Sequence, residues 1–192
     1  ALNPVSKESK FKAVKYGADI ALVSLNDKDF NGVENATHGE REPFSITGPG
    51  EYEVKGIFVK GFPSVSTYGG KERLNTIYTI AIEGMNVCFL GALGLKELSE
   101  EVKEAFEDID VLIVPIGGDG VLTPAEAQKI AVDIEPKIII PMHYGEVGDK
   151  NALKVFLKEA DAEKAEVMDK LTLKKKDLEG KEGEVIVLKE QN

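Results

Sequence analysis

Cysteine and histidine are scarce in this sequence, and their scarcity limits the chemistry it can carry. With a single cysteine, Cys88, the chain can form neither an internal disulfide nor a zinc site built from several thiolates. The two histidines, His38 and His143, exclude any site that needs three or more imidazoles. No run of residues approaches the roughly 20 apolar positions that span a bilayer, and no charged-then-apolar leader opens the chain. We therefore expect a cytoplasmic protein with no membrane contact.

Positive charge is also in short supply. The 192 residues include 24 Lys and Arg against 34 Asp and Glu, a net charge of −10. Because no basic excess is present to displace counterions, we do not expect nucleic acid as a partner. Hydrophobic residues make up 42% of the chain and charged residues 30%, the balance of a globular protein. No linker or change in composition divides the sequence, so residues 1–192 are predicted to form a single domain.

Hydrophobic periodicity predicts strands in the first half of the chain and alternating strands and helices after Gly94. The segment 76–90 has the pattern of a hairpin with a turn at Glu83 and Gly84. The other predicted strands cover 20–24, 57–60, 111–115, 138–141, a segment around Leu171, and 185–188. Helices are predicted over 95–106, from the capping residue Thr123 onward, and near 150–160. This order predicts an α/β protein with mixed sheets flanked by helices.

Five segments of the chain resemble a known family. Residues 18–24, 48–54, 75–78, 89–91 and 141–144, in this order, are similar to segments of the metallo-β-lactamase superfamily. The chain looks closest to a small bacterial group of zinc-dependent hydrolases with the β-lactamase fold. This resemblance implies a four-layer αββα sandwich of two mixed sheets flanked by helices. The family usually begins with a strand pair that this chain lacks.

The resemblance also implies where a dinuclear metal centre would lie. The family motif His-x-His-x-Asp-His falls on residues 25–30, of which Asn26 occupies a spacer position. Leu25 and Phe30 stand in place of histidines, and neither can bind a metal ion. Asp27 replaces the middle histidine with a carboxylate, and Asp29 matches the aspartate of the motif.

The remaining family ligands fall further along the chain. The next histidine of the family falls near Ser66, and the bridging aspartate falls on Ala92. The final histidine is retained as His143, and Tyr144 follows it at the predicted cleft. Leu25, Asn26, Phe30, Ser66, Ala92 and Tyr144 are therefore predicted to line the cleft.

The ligand count decides what we expect of the site. Catalytic zinc takes about three protein ligands and prefers nitrogen or sulfur donors, and the resemblance leaves Asp29, His143 and the substituted Asp27. We therefore expect no cofactor, with Zn, Mn or Mg at a residual single site as the alternative, and we assign no catalytic residue. Asp29 and His143 should face each other, and the carboxylate should make the imidazole more readily protonated.

Three functions remain open from the sequence. The first is a pseudoenzyme, a non-hydrolytic relative that binds a small molecule or a protein partner. The second is a metal-dependent hydrolase of phosphodiesters, esters or lactones with an atypical site at Asp27, Asp29 and His143. The third is an assembly subunit with a relic cleft, for which self-association into a homo-oligomer is open.

Overall fold

The computed structural model describes residues 1–95 and 98–189. Within these residues the chain forms short strands first, then strands alternating with helices, as the periodicity predicts. The strands are β1 Ile20–Leu22, β2 Phe44–Ile46, β3 Gly50–Val54, β4 Ile57–Ser66, β5 Arg73–Ile82, β6 Met85–Phe89, β7 Val111–Pro115, β8 Ile138–Met142, β9 Glu166–Met168 and β10 Glu184–Leu188. The α-helices are α1 Glu100–Glu104, α2 Pro124–Ile134 and α3 Ala152–Glu159.

Two sheets organise the fold. The larger sheet has the strand order β3-β4-β5-β6-β7-β8-β10-β9, and the smaller sheet pairs β1 with β2 in parallel. Strands β3 to β6 are antiparallel neighbours, whereas β6, β7, β8, β10 and β9 run parallel to one another. The predicted hairpin is confirmed as β5 and β6, joined at Glu83 and Gly84.

Alternating side chains of the large sheet build two separate cores. On β5, Ile77 faces the helices while its neighbour Tyr78 faces the small sheet, and on β6 Cys88 and Phe89 divide in the same way. This is the period of two that a sheet covered on both faces requires. All three α-helices pack on one face, and β1 and β2 cover the other. The predicted α/β sandwich of two sheets with flanking helices is confirmed.

Local signals explain where α2 begins, but not every element follows the prediction. Thr123 and Glu126 form a reciprocal capping box, and Pro124 occupies the first turn. Helix α1 is shorter than predicted and begins after the capping residue Ser99. Residues 96–97 of that predicted helix lie outside the described residues.

The strand predicted around Leu171 is wrong. Leu171 packs against a core cluster without joining a sheet, and the strand of this region is β9, three residues earlier in the chain. An apolar side chain can pack against the core although its backbone pairs with no strand. The apolar character of Leu171 was therefore not sufficient to predict a strand at this position. No helix of the described residues has the length and apolar character needed to cross a bilayer.

Candidate active site

The ends of three strands meet beside one another at the site that the resemblance indicates. After β1, Leu25 and Phe30 fold back into a small buried cluster with Ala92, which follows β6. The ring centroid of Phe30 lies 5.4 Å from that of His143, which follows β8. Leu25, Phe30 and Ala92 thus form one apolar cluster, and Phe30 brings it into contact with the ring of His143.

A pocket of about 420 Å³ opens next to this cluster. Asp29 and His143 both line it, together with Lys12 and Glu146. The rest of its wall is apolar except for Asn3 and comes from Leu2, Asn3, Val5, Phe11, Phe30, Phe89, Ile113, Met142 and Val147. A mostly apolar pocket with a few converging polar groups is the usual form of a small-molecule site.

Asp29 is held in place by hydrogen bonds to both of its carboxylate oxygens. Ser9 Oγ donates to Oδ1 at 2.5 Å, and Tyr68 Oη donates to Oδ2 at 2.6 Å. The Asp29 backbone N–H donates to Asp27 Oδ1 at 3.0 Å and fixes the local turn. Each oxygen of Asp29 keeps a further lone pair, so its orientation is set without using up its capacity to bind a cation.

The backbone at His143 adopts a left-handed conformation that is unusual for histidine. Its φ angle is 64°, and its carbonyl oxygen would lie 2.2 Å from a Cβ added at Gly117. A Cβ added at Gly148 would likewise lie 2.4 Å from the carbonyl oxygen of Gly117, so the loop that carries the imidazole is tightly enclosed. Strained backbone of this kind persists only where the surrounding structure enforces it, and it concentrates at functional sites.

The imidazole of His143 is half-buried, and its Nδ1 has no partner. Nδ1 is inaccessible to solvent and makes no hydrogen bond to the protein. Burial lowers the pKa of His143 to about 4, and the carboxylates of Asp29 and Asp119 offset only part of that effect. The expectation that His143 is more readily protonated than an ordinary imidazole is therefore wrong, because desolvation of the charged imidazolium outweighs the attraction of Asp29.

Asp27 is engaged elsewhere. Its Oδ2 forms an ion pair with Arg73 Nη1 at 2.8 Å, while its Oδ1 accepts the Asp29 N–H. Burial raises the pKa of the Asp27 carboxyl, but these hydrogen bonds and the arginine charge more than compensate and hold it below its usual value. Asp27 does not line the pocket, and the neighbouring Asn26 is exposed and bonded to Asn31.

Three other predicted cleft residues do not line the pocket, namely Ser66, Ala92 and Tyr144. Ser66 is buried, donates to the carbonyl of Gly120 at 3.4 Å, and accepts the backbone N–H of Tyr68 at 3.2 Å. The N–H of Ala92 is bound by Asn75 Oδ1 at 2.8 Å. Tyr144 packs on the helix-side core and donates to a carbonyl of β10, so it does not belong to the pocket wall.

Sequence reasoning missed Ser9 and Tyr68, the two residues that bind Asp29. They lie 20 and 39 residues away from it along the chain. The only pointer to Tyr68 was the family alignment, which placed a histidine near Ser66, two positions earlier. Lys12 and Phe11 of the pocket wall carry no recognisable motif.

The donor set can be compared directly with what a metal ion needs. Among residues 1–95 and 98–189, no group of three or more His, Cys, Asp or Glu side chains is placed to hold a metal ion. The apolar cluster of Leu25, Phe30 and Ala92 therefore does not fit a pair of ions. Asp29, with its oriented carboxylate, and His143, whose Nδ1 has no partner, line the same pocket and are the residues that could hold one ion.

Fold and site together define a protein of the metallo-β-lactamase type, with a pocket at its strand ends. The family profile described as beta-lactamase superfamily domain matches residues 1–143. The chain therefore belongs to the β-lactamase superfamily. It is also similar to a Thermotoga maritima structure described as a Zn-dependent hydrolase of the metallo-β-lactamase superfamily. That similarity has 28% identity and a TM-score of 0.69, and covers 94% of this chain and 87% of the other.

Curated relatives give a more detailed comparison. A UPF0173 metal-dependent hydrolase of Thermococcus onnurineus is 30% identical over 98 residues, which is 50% of this chain and 44% of that protein. A UPF0173 protein of Pyrococcus abyssi, whose name states no activity, is 35% identical over 142 residues, 71% of this chain and 64% of that protein. The matches thus span less than two thirds of the length of either relative. Relatives named as metal-dependent hydrolases contradict our expectation of a protein without a cofactor, because their names imply a metal ion.

Proposed function

We propose that the protein is a metal-dependent hydrolase that cleaves small carboxylic esters or lactones. The observation that carries the proposal is that Asp29 and His143, whose Nδ1 is inaccessible to solvent and has no hydrogen-bond partner, line the same pocket. The names of the relatives and of the similar Thermotoga maritima structure support the same reaction class. They give no substrate.

The pocket wall favours a neutral substrate over a phosphodiester. Asp29 and Glu146 place two carboxylates in the wall, and Lys12 is the cationic side chain among its lining residues. A phosphodiester anion would meet this negative charge, whereas an ester or lactone with an aliphatic or aromatic body would bury its carbon skeleton against the apolar wall.

In this proposal Asp29 and His143 would hold a single metal ion. Such an ion, when bound, supplies Lewis acidity toward the carbonyl oxygen and lowers the pKa of a bound water. Ser9 and Tyr68 orient the Asp29 carboxylate, and the enclosed loop at Gly117 fixes the backbone of His143. The apolar wall excludes bulk water and positions the acyl part of the substrate.

The test is a turnover assay on chelator-treated protein to which Mn²⁺, Zn²⁺ or Mg²⁺ is restored. Substrates are 4-nitrophenyl esters of short and medium carboxylic acids, simple lactones, and bis(4-nitrophenyl) phosphate. We expect metal-dependent ester or lactone cleavage, which falls to the metal-free level in Asp29→Asn and in His143→Asn. Asparagine suits position 143 because it tolerates a positive φ better than most residues. His38→Asn, at the other and exposed histidine, is the matched control and should remain active.

Two results would contradict the proposal in different ways. Cleavage of the phosphodiester alone would refute the substrate class and leave the metal-dependent hydrolase standing. Turnover of no substrate with any of the metals would refute the hydrolase.

A second candidate function is binding of the same class of molecule without hydrolysis. It is favoured by one observation, the buried apolar cluster of Leu25, Phe30 and Ala92 at the positions of three family ligands. Saturable stabilisation of the protein by a non-cleavable amide analogue, measured by thermal unfolding and combined with no turnover, would select this candidate.

A further inference from the structure

The floor of the pocket lies on three neighbouring strands of the large sheet. It consists of Phe89, Ile113 and Met142, which come from β6, β7 and β8 and pack on the side of the sheet that the small sheet covers. Phe89 pairs with Ile113, and Met142 pairs with the residue two positions after Ile113. Because every second side chain of a strand points to the same face, the three side chains form one continuous apolar surface.

This floor lies in a gap between the two groups of residues that cover the sheet. The small sheet packs over Phe89, and apolar side chains of the segment 171–178 cover the first residues of β7 and β8. Ile113 packs against both clusters and is nevertheless only half-buried, as is Met142. Half-exposed apolar side chains on inner strands leave apolar area that a ligand can remove from water.

Away from the two candidate metal ligands the pocket offers a bound molecule few hydrogen-bonding groups. Lys12 and Glu146 line the pocket but are exposed to solvent. The amide of Asn3 is engaged elsewhere, because its Nδ2 donates to Ser24 Oγ at 2.9 Å and its Oδ1 accepts the Ser24 N–H at 2.8 Å. This region of the wall is therefore suited to the hydrocarbon part of a ligand.

The length of the floor follows from the strand register. His143 comes directly after Met142 at the end of β8, and Ile113 lies two residues back from the level of Met142 on β7. At about 3.3 Å per residue, the floor extends about 7 Å from the strand ends into the sheet. Carbon–carbon bonds in an extended zigzag advance about 1.3 Å each, so about five or six methylene groups would cover the floor. An acetyl group would leave most of it exposed to water.

We propose that Phe89, Ile113 and Met142 bind an aliphatic acyl chain of about six to eight carbons, and that Ile113 limits the length of this chain. The inference rests on the proposed hydrolysis of esters or lactones and names the substrate class of the same site. The carbonyl carbon would lie beside Asp29 and His143, and the chain would extend along the floor toward Ile113. Each methylene that leaves water for this surface should tighten binding by about fourfold.

The experiment measures binding and turnover separately on the full chain. Binding of the N-methyl amides of butanoic, hexanoic, octanoic and decanoic acids, which are neutral and resist cleavage, is measured by calorimetry. Turnover is measured with the 4-nitrophenyl esters of the same four acids on protein to which Mn²⁺ or Zn²⁺ has been restored. In wild type we expect the amide affinity to rise by about tenfold for each two added methylenes up to octanoyl and then to level off. The values of kcat/KM for the esters should follow the same order.

Two pairs of variants locate the chain on the floor. Ile113→Phe places a larger side chain where the floor ends and should shift the preferred chain to hexanoyl or shorter in both assays. Ile80→Phe is its matched control and should keep the wild-type order, because Ile80 is a half-buried isoleucine of the same sheet face that does not line the pocket. Val147→Asp puts a charge into the half-buried wall and should weaken octanoyl amide binding by about tenfold, even if Ile113→Phe fails to fold. Val155→Asp, on the exposed side of α3, is the control for that charge.

The outcomes separate this inference from the function on which it rests. Amide affinities that do not rise with chain length in wild type would overturn the acyl-binding role of the floor, and an unchanged preference in folded Ile113→Phe would overturn the length limit. Cleavage of all four esters at similar kcat/KM, together with flat amide affinities, would overturn the inference and leave the hydrolase intact. Amide binding that depends on chain length, without turnover of any ester, would support the acyl-binding floor and contradict the proposed hydrolase.

Discussion

The burial of His143 predicts a specific loss of stability in mild acid. The pKa of this imidazole is about 4 in the folded protein and 6.5 as an ordinary value, so the unfolded chain takes up the proton first as the pH falls. The free energy of unfolding should therefore decrease as the pH falls from 6.5 to about 4, and this contribution should level off below that. The difference in pKa amounts to about 3 kcal/mol at full extent and to about 2 kcal/mol between pH 7 and pH 5.

The assay is urea denaturation of chelator-treated protein at pH 7, 6 and 5. Other groups also titrate in acid, so the measured quantity is the difference between wild type and His143→Asn, in which the proton-binding group is gone. We expect the variant to lose about 2 kcal/mol less than wild type between pH 7 and pH 5. His38→Asn removes the exposed histidine and should retain the wild-type dependence. An equal loss in wild type and His143→Asn would refute the reasoning, because the imidazole would then not be desolvated.

Three further predictions concern the scaffold of the site. Asp110→Asn should cost about 2 to 3 kcal/mol in chemical denaturation, because this buried carboxylate accepts hydrogen bonds from two lysines and a backbone N–H. Gly117→Ala should cost about 1 to 3 kcal/mol and lower metal-dependent turnover, since the new methyl would lie 2.2 Å from the carbonyl oxygen of His143. Gly48→Ala, which meets open space, is its control and should be close to neutral. Thr123→Ala removes the cap of α2 and should cost about 1 kcal/mol in thermal unfolding, with no effect on metal affinity.

The parts of the fold that sequence patterns predict are those determined by neighbouring residues. The β5–β6 hairpin depends on the turn residues Glu83 and Gly84, and α2 depends on a cap and a box partner three positions apart. Strand β9 lacks such a signal, because it is three residues long and Val167 at its centre is 53% exposed. Pairing with β10 alone defines it, and that pairing joins residues about twenty positions apart in the chain.

The site divides in the same way between local and tertiary information. Family resemblance directs attention to Asp29 and His143, and the structure brings both to one pocket. The resemblance cannot show that Asp27 is paired with Arg73, 46 residues further on, or that Tyr68 donates a hydrogen bond to Asp29. The direction of the His143 pKa is likewise a tertiary property, because it follows from how completely the surrounding loops cover the ring rather than from its nearest charge.

Phe30 belongs to the apolar cluster with Leu25 and Ala92 and also contacts the polar residues of the site. Its ring contacts both Tyr68 and His143, at centroid distances of 5.0 and 5.4 Å. Phe30 therefore places an apolar side chain directly beside the polar groups of the site. In surroundings of low dielectric constant each remaining charge interaction is stronger than it would be in water. Under the proposed metal dependence, a cation held by Asp29 and His143 would be attracted more strongly because of this packing.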